Sequence, residues 1–260
     1  MESITVQVLL DHLALPKAGN SASDYEDAAF PLDAPVTPVT RLRAAIADGA
    51  TESSFAGLWA RLLVEAFVAK RLMARGQRLP AQLAALQHTW QQTAAAGPLP
   101  WYAEEKLRDG AFCAFLGLEL AEGRRGATWQ AWAVGDSCLL HVRDGALLAA
   151  FPLTAAAEFN SRPLLIGSQV RHHTEAVRAM RRVQGVWQSG DSFFLLTDAL
   201  AAWFLSAHAA GENPAATLEG FFAERNAAAA WLADLRRDRR IRNDDTTLLR
   251  IIVRAAPADA

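Results

Sequence analysis

The sequence predicts an α+β protein in which two antiparallel sheets pack together and helices cover both outer faces. The apolar strand segments are too numerous for one helix layer to cover, and the helical segments fall into two groups along the chain. Of the 260 residues, 52 % are hydrophobic, which is enough for a sizeable core. A layered sandwich of this kind buries the apolar face of every predicted element.

The totals argue against several classes of function. The net charge is −2, so no overall basic field would attract nucleic acid or a membrane. Cys113 and Cys138 lie in apolar runs without metal-binding spacing, which is typical of buried thiols in a reducing compartment. The start, Met1-Glu2-Ser3, lacks the basic region of a signal peptide, and no apolar run approaches the roughly 20 residues that span a bilayer. We therefore expect a cytoplasmic protein.

The first half of the chain predicts strands and then helices. Runs rich in Val, Leu and Ile indicate strands, and apolar residues at a spacing near 3.6 indicate helices. The predicted strands are Ile4–Leu15, a strand that begins within 24–30, and Arg41–Ala47. The predicted helices are Phe55–Met73, Pro80 to about Ala95, and Trp101 to about Leu120. The last of these is apolar through most of its second half, so we expect it to be buried.

The second half predicts an antiparallel meander, a strand, two helices and a closing strand. Gly135-Asp136-Ser137 and Arg143-Asp144-Gly145 are turn signals between the short strands of the meander. The segment Thr154–Gly185 has the weakest periodicity in the chain. The predicted strands are Thr128–Val134, Cys138–Val142, Ala146–Phe151, Ser192–Thr197 and Thr246–Val253. The predicted helices are Ala199–His208 and Pro214 to about Arg236.

One acidic residue, Asp48, follows a buried strand directly and precedes a glycine that allows a sharp turn. Asp27, Asp198 and Asp244 also stand at the edges of apolar runs. Each aspartate alone is typical of a turn or a helix cap. Carboxylates gathered at one edge would instead form a site for a hard cation such as Mg²⁺ or Mn²⁺, because these ions prefer oxygen ligands.

Five segments strengthen the second interpretation because they follow the order and separations of a known family. They are Tyr25-Glu26-Asp27-Ala28, Ile46-Ala47-Asp48-Gly49, Val134-Gly135-Asp136-Ser137, Leu195-Leu196-Thr197-Asp198, and Asn243-Asp244-Asp245-Thr246-Thr247. Together they resemble the metal-dependent Ser/Thr protein phosphatases of the 2C type (the PPM family), in a bacterial-like variant. The resemblance covers nearly the whole chain.

The resemblance implies a four-layer αββα sandwich that forms one domain over 1–254, followed by a short flexible tail at 255–260. It also implies a centre of two Mg²⁺ or Mn²⁺ ions, with a weaker third, that activates water to hydrolyse phosphoserine or phosphothreonine. By this resemblance Asp48 would bridge both metals. Asp27 and the Gly49 carbonyl would hold one ion, and Asp198 and Asp244 the other. Asp136 matches the third-metal position, and Glu26 would act through water.

The sequence departs from the family where an arginine usually contacts the substrate phosphate, since Ala22 stands there. An ammonium or guanidinium from elsewhere could replace it. The candidates are Lys17, Arg178, Arg181 and Arg182. The resemblance implies a phosphorylated protein as partner, with neither nucleic acid nor membrane. A pseudophosphatase, with the same fold used as a regulatory or partner-binding module, remains the alternative.

Overall fold

The computed structural model describes residues 6–35, 39–50, 55–72, 78–96, 107–123, 126–160, 162–223 and 225–255. The strands are β1 (Val6–Leu15), β2 (Ala28–Phe30), β3 (Arg41–Gly49), β4 (Phe112–Gly123), β5 (Gly126–Val134), β6 (Cys138–Arg143), β7 (Ala146–Phe151), β8 (Ile166–Gly167), β9 (Arg181–Val186), β10 (Ser192–Leu196) and β11 (Thr246–Ala255). The helices are α1 (Ala56–Val68), α2 (Leu79–Ala94), α3 (His173–Ala179), α4 (Asp198–Ala209), α5 (Pro214–Ala223) and α6 (Arg225–Arg237).

Two antiparallel sheets form the centre of the fold, as the sequence predicts. The first sheet has the strand order β1-β11-β10-β6-β7. The second has the order β2-β3-β4-β5-β9, with β8 added beside the start of β4. None of the described helices is both long enough and apolar enough to cross a membrane.

Three hydrophobic clusters fix the order of the layers. One lies between α1, α2 and the second sheet and contains Trp59 and Phe115. Another lies between the two sheets and contains Leu116 and Ile251. The third lies between the first sheet and α4, α5 and α6 and contains Phe204. The order helix–sheet–sheet–helix agrees with the predicted αββα sandwich, because each sheet has one face toward helices and one toward the other sheet.

The helix predicted over 101–120 is wrong from residue 112 onward, whereas residues 107–109 are helical. Residues 97–106 lie outside the described part of the chain, and residues 112–123 form β4, a central strand paired with β3 and β5. Alternate side chains of β4 enter different cores: Phe115 packs under the helices, and Leu116 packs between the sheets. A strand buried on both faces has no polar alternation, so its apolar run resembles a buried helix.

The meander prediction is wrong at its first turn. β5 pairs with β4 and β9, whereas β6 pairs with β10 and β7, so residues 135–137 carry the chain from one sheet to the other. Gly135 has φ +94°, and a Cβ there would stand 2.5 Å from the Ala114 Cβ, so the crossing needs glycine. The second turn, through Asp144 and Gly145, joins β6 and β7 as predicted.

Smaller differences concern the C-terminal half. The helix predicted from Pro214 to about Arg236 is helical on both sides of residue 224, as α5 and α6, and residue 224 itself lies outside the described part of the chain. The weakly periodic segment 154–185 contains β8, α3 and the start of β9. The last strand extends to Ala255, and the rest of the predicted tail, 256–260, lies outside the described residues. The division into one domain over 1–254 stays a prediction.

A buried charge cluster joins the strands at the end of the first sheet where β10 begins. Asp191 is fully buried and accepts hydrogen bonds from His141 Nε2 at 2.7 Å and Arg143 Nε at 2.6 Å. The Gln188 amide donates a third bond at 2.9 Å. Burial alone would raise the pKa of Asp191, but the hydrogen bonds, that of Arg143 foremost, outweigh it and hold the pKa at about 2.

We predict that Asp191→Asn lowers the free energy of unfolding by about 3 kcal/mol at pH 7, because it leaves buried donors without their charged partner. The folded pKa lies below the unfolded value of about 3.9. The carboxylate therefore stabilises the protein fully above that pH, and the difference from wild type should narrow as the pH falls toward 2. Urea denaturation at several pH values measures this. Asp234→Asn, at an exposed ion pair, is the control, and equal losses for both variants would contradict the prediction.

Candidate metal centre

Aspartates from separate elements meet in a cleft of about 560 Å³ at one end of the sandwich. The chain directions explain the meeting. β3, β5 and β10 end there, and β6 and β11 begin there, so side chains distant in sequence come to one edge. The aspartates that line the cleft are Asp48, Asp136, Asp198 and Asp244.

Asp27 lies directly behind this cleft. Ala28 pairs with Ala47 across β2 and β3, which places Asp27 next to Asp48. The Thr247 hydroxyl donates a hydrogen bond of 2.7 Å to the Asp27 carboxylate. Burial raises the pKa of Asp27 to about 8, and the charges of Asp245 and Asp198 add to this effect.

The other carboxylates show the same crowding. Burial raises the pKa of Asp48 well above its usual range, and the charges of Asp27 and Asp198 raise it further. Burial and the charge of Asp198 raise the pKa of Asp136 to about 7. The pKa of Asp198 is also raised, by burial and then by Asp244. Ionising these carboxylates together is therefore unfavourable, and a bound cation would favour their ionised forms.

Two residues next to Asp244 hold the loop that carries Glu26 and Asp27. The Asp245 carboxylate accepts hydrogen bonds from the backbone amides of Lys17 and Glu26, each at 2.8 Å. Asn243 accepts a bond of 2.8 Å from the Ala18 amide. These bonds join the segment before β2 to the residues before β11. Segments that are far apart in the sequence therefore hold each other in place.

Gly49 is the point where β3 approaches this loop most closely. A Cβ at Gly49 would stand 2.6 Å from the Glu26 carbonyl oxygen and 3.0 Å from the Ala56 Cβ. No other residue type fits there without moving the backbone. Gly49 lies in the lining of the cleft, and its role as a carbonyl ligand stays a prediction.

In the described residues, no three His, Cys, Asp or Glu side chains have the spacing of a formed metal site. One reason is visible at Asp198, where Oδ2 accepts a hydrogen bond of 2.6 Å from Arg242 Nη1. The donors nevertheless fit Mg²⁺ or Mn²⁺. They are oxygen atoms, they are crowded and anionic, and Gly49 keeps space beside them.

The four basic residues predicted to bind phosphate lie outside the lining of the cleft. Lys17 Nζ is 3.8 Å from Glu26 Oε2. Arg178 is exposed on α3. Arg181 and Arg182 lie on β9, near the rings of Phe151 and Trp132 respectively.

Two arginines that the sequence analysis did not select, Arg162 and Arg242, do line the cleft. The signal available for Arg242 was its place two residues before Asp244 in a charged loop. Arg162 lies in the weakly periodic segment Thr154–Gly185, from which an arginine was expected to contact phosphate, but the predicted candidates there were Arg178, Arg181 and Arg182.

No protein-family profile and no curated protein matches the sequence. Solved structures do match over nearly the whole chain. PppA of Pseudomonas aeruginosa, described as a key regulatory component of T6SS, is 19 % identical over 96 % of this chain and 99 % of its own, with a TM-score of 0.54. The Mycobacterium tuberculosis Ser/Thr phosphatase PstP/Ppp is 17 % identical over 96 % and 99 %, with a TM-score of 0.55.

A PstP catalytic domain solved with two manganese ions is 17 % identical over 95 % of this chain and 99 % of its own, with a TM-score of 0.52. These likenesses confirm the predicted fold: the chain has the fold of the 2C-type Ser/Thr phosphatases.

We predict that Asp48→Asn has opposite effects on stability without and with metal. Because the folded pKa values of the cluster are raised, ionisation should destabilise the metal-free protein as the pH rises from about 4 through 8. In chelator at pH 8 the variant should melt about 3–6 °C above wild type, since one repelling charge is gone. With excess Mn²⁺ it should melt below wild type.

Thermal melts in both buffers test this prediction. Asp144→Asn, in the β6–β7 turn, is the matched control and should shift equally with and without metal. If Asp48→Asn behaves like that control, Asp48 is only a turn residue.

We also predict that Gly49→Ala lowers the free energy of unfolding by about 1–3 kcal/mol, because the new methyl group meets the Glu26 backbone. The displaced loop should also weaken Mn²⁺ binding, measured by calorimetry. Gly220→Ala, on an exposed helix position with open space around it, should be neutral or stabilising. Unchanged Mn²⁺ affinity in folded Gly49→Ala would contradict the role of this close approach.

Proposed function

We propose that this chain is a metal-dependent phosphoprotein phosphatase that hydrolyses phosphoserine and phosphothreonine. The observation that carries the proposal is the convergence of Asp48, Asp136, Asp198 and Asp244 in one cleft. The raised pKa values there indicate charge that a cation would neutralise. The fold is shared with Ser/Thr phosphatases, one of which was solved with two manganese ions.

The proposed cofactors are two Mg²⁺ or Mn²⁺ ions, with a weaker third. Asp48 would bridge the two ions, Asp27 and the Gly49 carbonyl would hold one, and Asp198 and Asp244 the other. Two further residues have lesser roles: Asp136 would hold the third ion and Glu26 would act through water. When bound, the ions supply an activated water and neutralise the phosphoryl oxygens.

The residues of the chain contribute position and charge around the phosphate. The cleft is open to solvent, so a phosphorylated side chain on another protein can enter it. Arg162 and Arg242 stand in its walls, where a guanidinium can bind phosphate oxygens with two parallel bonds. Four further cations remain predictions for contacts outside the cleft, namely Lys17, Arg178, Arg181 and Arg182.

We predict that the protein hydrolyses p-nitrophenyl phosphate with Mn²⁺ or Mg²⁺ and loses this activity in excess chelator. Asp48→Asn should lower kcat/KM by about 100-fold or more, because the ions supply several kcal/mol of transition-state stabilisation. Asp144→Asn should retain wild-type rates, since it lies in a distant hairpin turn.

Mn²⁺ binding by calorimetry separates the alternatives. Full turnover in chelator would exclude the metal mechanism. Mn²⁺ binding without hydrolysis of either p-nitrophenyl phosphate or a phosphopeptide would favour the pseudophosphatase, in which the fold serves as a binding module.

A further inference from the structure

Arg242 forms an ion pair with one of the proposed metal ligands. Its Nη1 donates a hydrogen bond of 2.6 Å to Asp198 Oδ2. The two side chains differ in freedom: that of Arg242 is 51 % exposed, whereas that of Asp198 is 9 % exposed. Arg242 also lines the cleft that contains Asp48 and Asp244. The guanidinium therefore forms its hydrogen bond with a carboxylate that belongs to the lining of the candidate metal centre.

The carboxylate is the fixed member of this pair. Asp198 is the first residue of α4, separated from β10 by Thr197 alone, and its other oxygen accepts a hydrogen bond from the Ala199 amide. The backbone of Arg242 is also held, because its carbonyl accepts a bond of 3.1 Å from the Asp244 amide and Ile241 beside it is buried. What can move is the exposed end of the Arg242 side chain.

A metal ion and this guanidinium would compete for the same atom. Both are cations, and the Arg242 guanidinium already donates a hydrogen bond to Oδ2 of Asp198. An ion that takes this oxygen must displace the guanidinium, which then lacks its carboxylate partner. Among the described residues, Arg162 and Arg242 are the cations in the cleft lining, so a displaced Arg242 remains beside the centre. Its planar guanidinium can then donate two parallel hydrogen bonds to a phosphoryl group.

We propose that Arg242 is an internal competitor of the metal at Asp198 and that, once displaced, it binds the phosphate of the substrate. Metal and phosphoanion binding would then favour each other, because each stabilises the arrangement in which Arg242 has left Asp198. By linkage, the factor by which the anion tightens metal binding equals the factor by which the metal tightens anion binding. This inference rests on the proposed function, since it requires these aspartates to bind metal.

The test measures Mn²⁺ binding by calorimetry, with and without phenylphosphonate, a phosphoryl group that cannot be hydrolysed. Without the phosphonate, Arg242→Gln should bind Mn²⁺ about two- to five-fold more tightly than wild type, the range expected for a partly exposed ion pair. The metal-loaded variant should bind the phosphonate roughly ten-fold or more weakly, because a charged hydrogen-bond donor is lost. The phosphonate should therefore tighten Mn²⁺ binding by a larger factor in wild type than in Arg242→Gln.

Arg162→Gln is the matched control for charge. It removes a positive charge from the same cleft but leaves the Asp198 pair intact, so it should gain less in Mn²⁺ affinity than Arg242→Gln. Arg242→Lys is the second variant. It keeps the positive charge but lacks the planar guanidinium that can donate two parallel hydrogen bonds. It should bind Mn²⁺ within about two-fold of wild type and bind the phosphonate more weakly.

The outcomes separate this inference from the function on which it rests. If wild type binds no Mn²⁺, both fail. If wild type binds Mn²⁺ but Arg242→Gln does not bind it more tightly, or Arg162→Gln gains as much, the competition at Asp198 is overturned and the metal centre stands. If Arg242→Gln binds the phosphonate as wild type does, the phosphate role of Arg242 is overturned.

Discussion

The burial of several carboxylates at one end of the sandwich is the constraint on which the candidate site depends. Asp27, Asp48, Asp136 and Asp198 all have raised pKa values, with burial as the largest cause and neighbouring carboxylates adding to it. Nothing in the local propensity of these residues favours such a grouping. It exists because the strand ends meet there, and the strands are fixed by the cores on both faces of each sheet. The fold therefore imposes an electrostatic cost that a bound cation would relieve.

The surrounding residues reduce this cost without removing it. Thr247 donates to Asp27, Arg242 donates to Asp198, and Asp245 is satisfied by two backbone amides. The last of these contacts differs in kind from the others. Asp245 is next to Asp244 in sequence, but its carboxylate oxygens accept hydrogen bonds from the loop that carries Glu26. These bonds hold that loop against the start of β11. Neighbouring aspartates thus divide into one that holds the backbone and one that faces the cleft.

The sequence was most informative at the strand ends. It was least informative where tertiary packing determines the type of an element or the partner of a strand. Asp48, Asp198 and Asp244 were selected because each borders an apolar run, and strands do end or begin there, whereas Asp136 was selected through the family resemblance. The strand β4 was misjudged because burial on both faces removes the alternation that marks a strand. The crossing at Gly135 was misjudged because a turn signal does not tell whether its two strands pair. Arg242 was missed because its partner, Asp198, is 44 residues away.

Buried aspartates at the two ends of the sandwich have pKa values that are shifted in opposite directions. At one end Asp191 has Arg143, His141 and a backbone amide, so its pKa falls to about 2 and its charge supports the fold. At the other end burial raises the pKa of Asp48, and the charges of Asp27 and Asp198 raise it further. Removing a hydrogen-bonded buried carboxylate destabilises a protein because its partners are left unpaired, whereas the ionised form of a crowded carboxylate is unfavourable until a cation binds. The position of Arg242 is intermediate: it satisfies Asp198 only partly and from an exposed side chain, so a stronger cation can replace it.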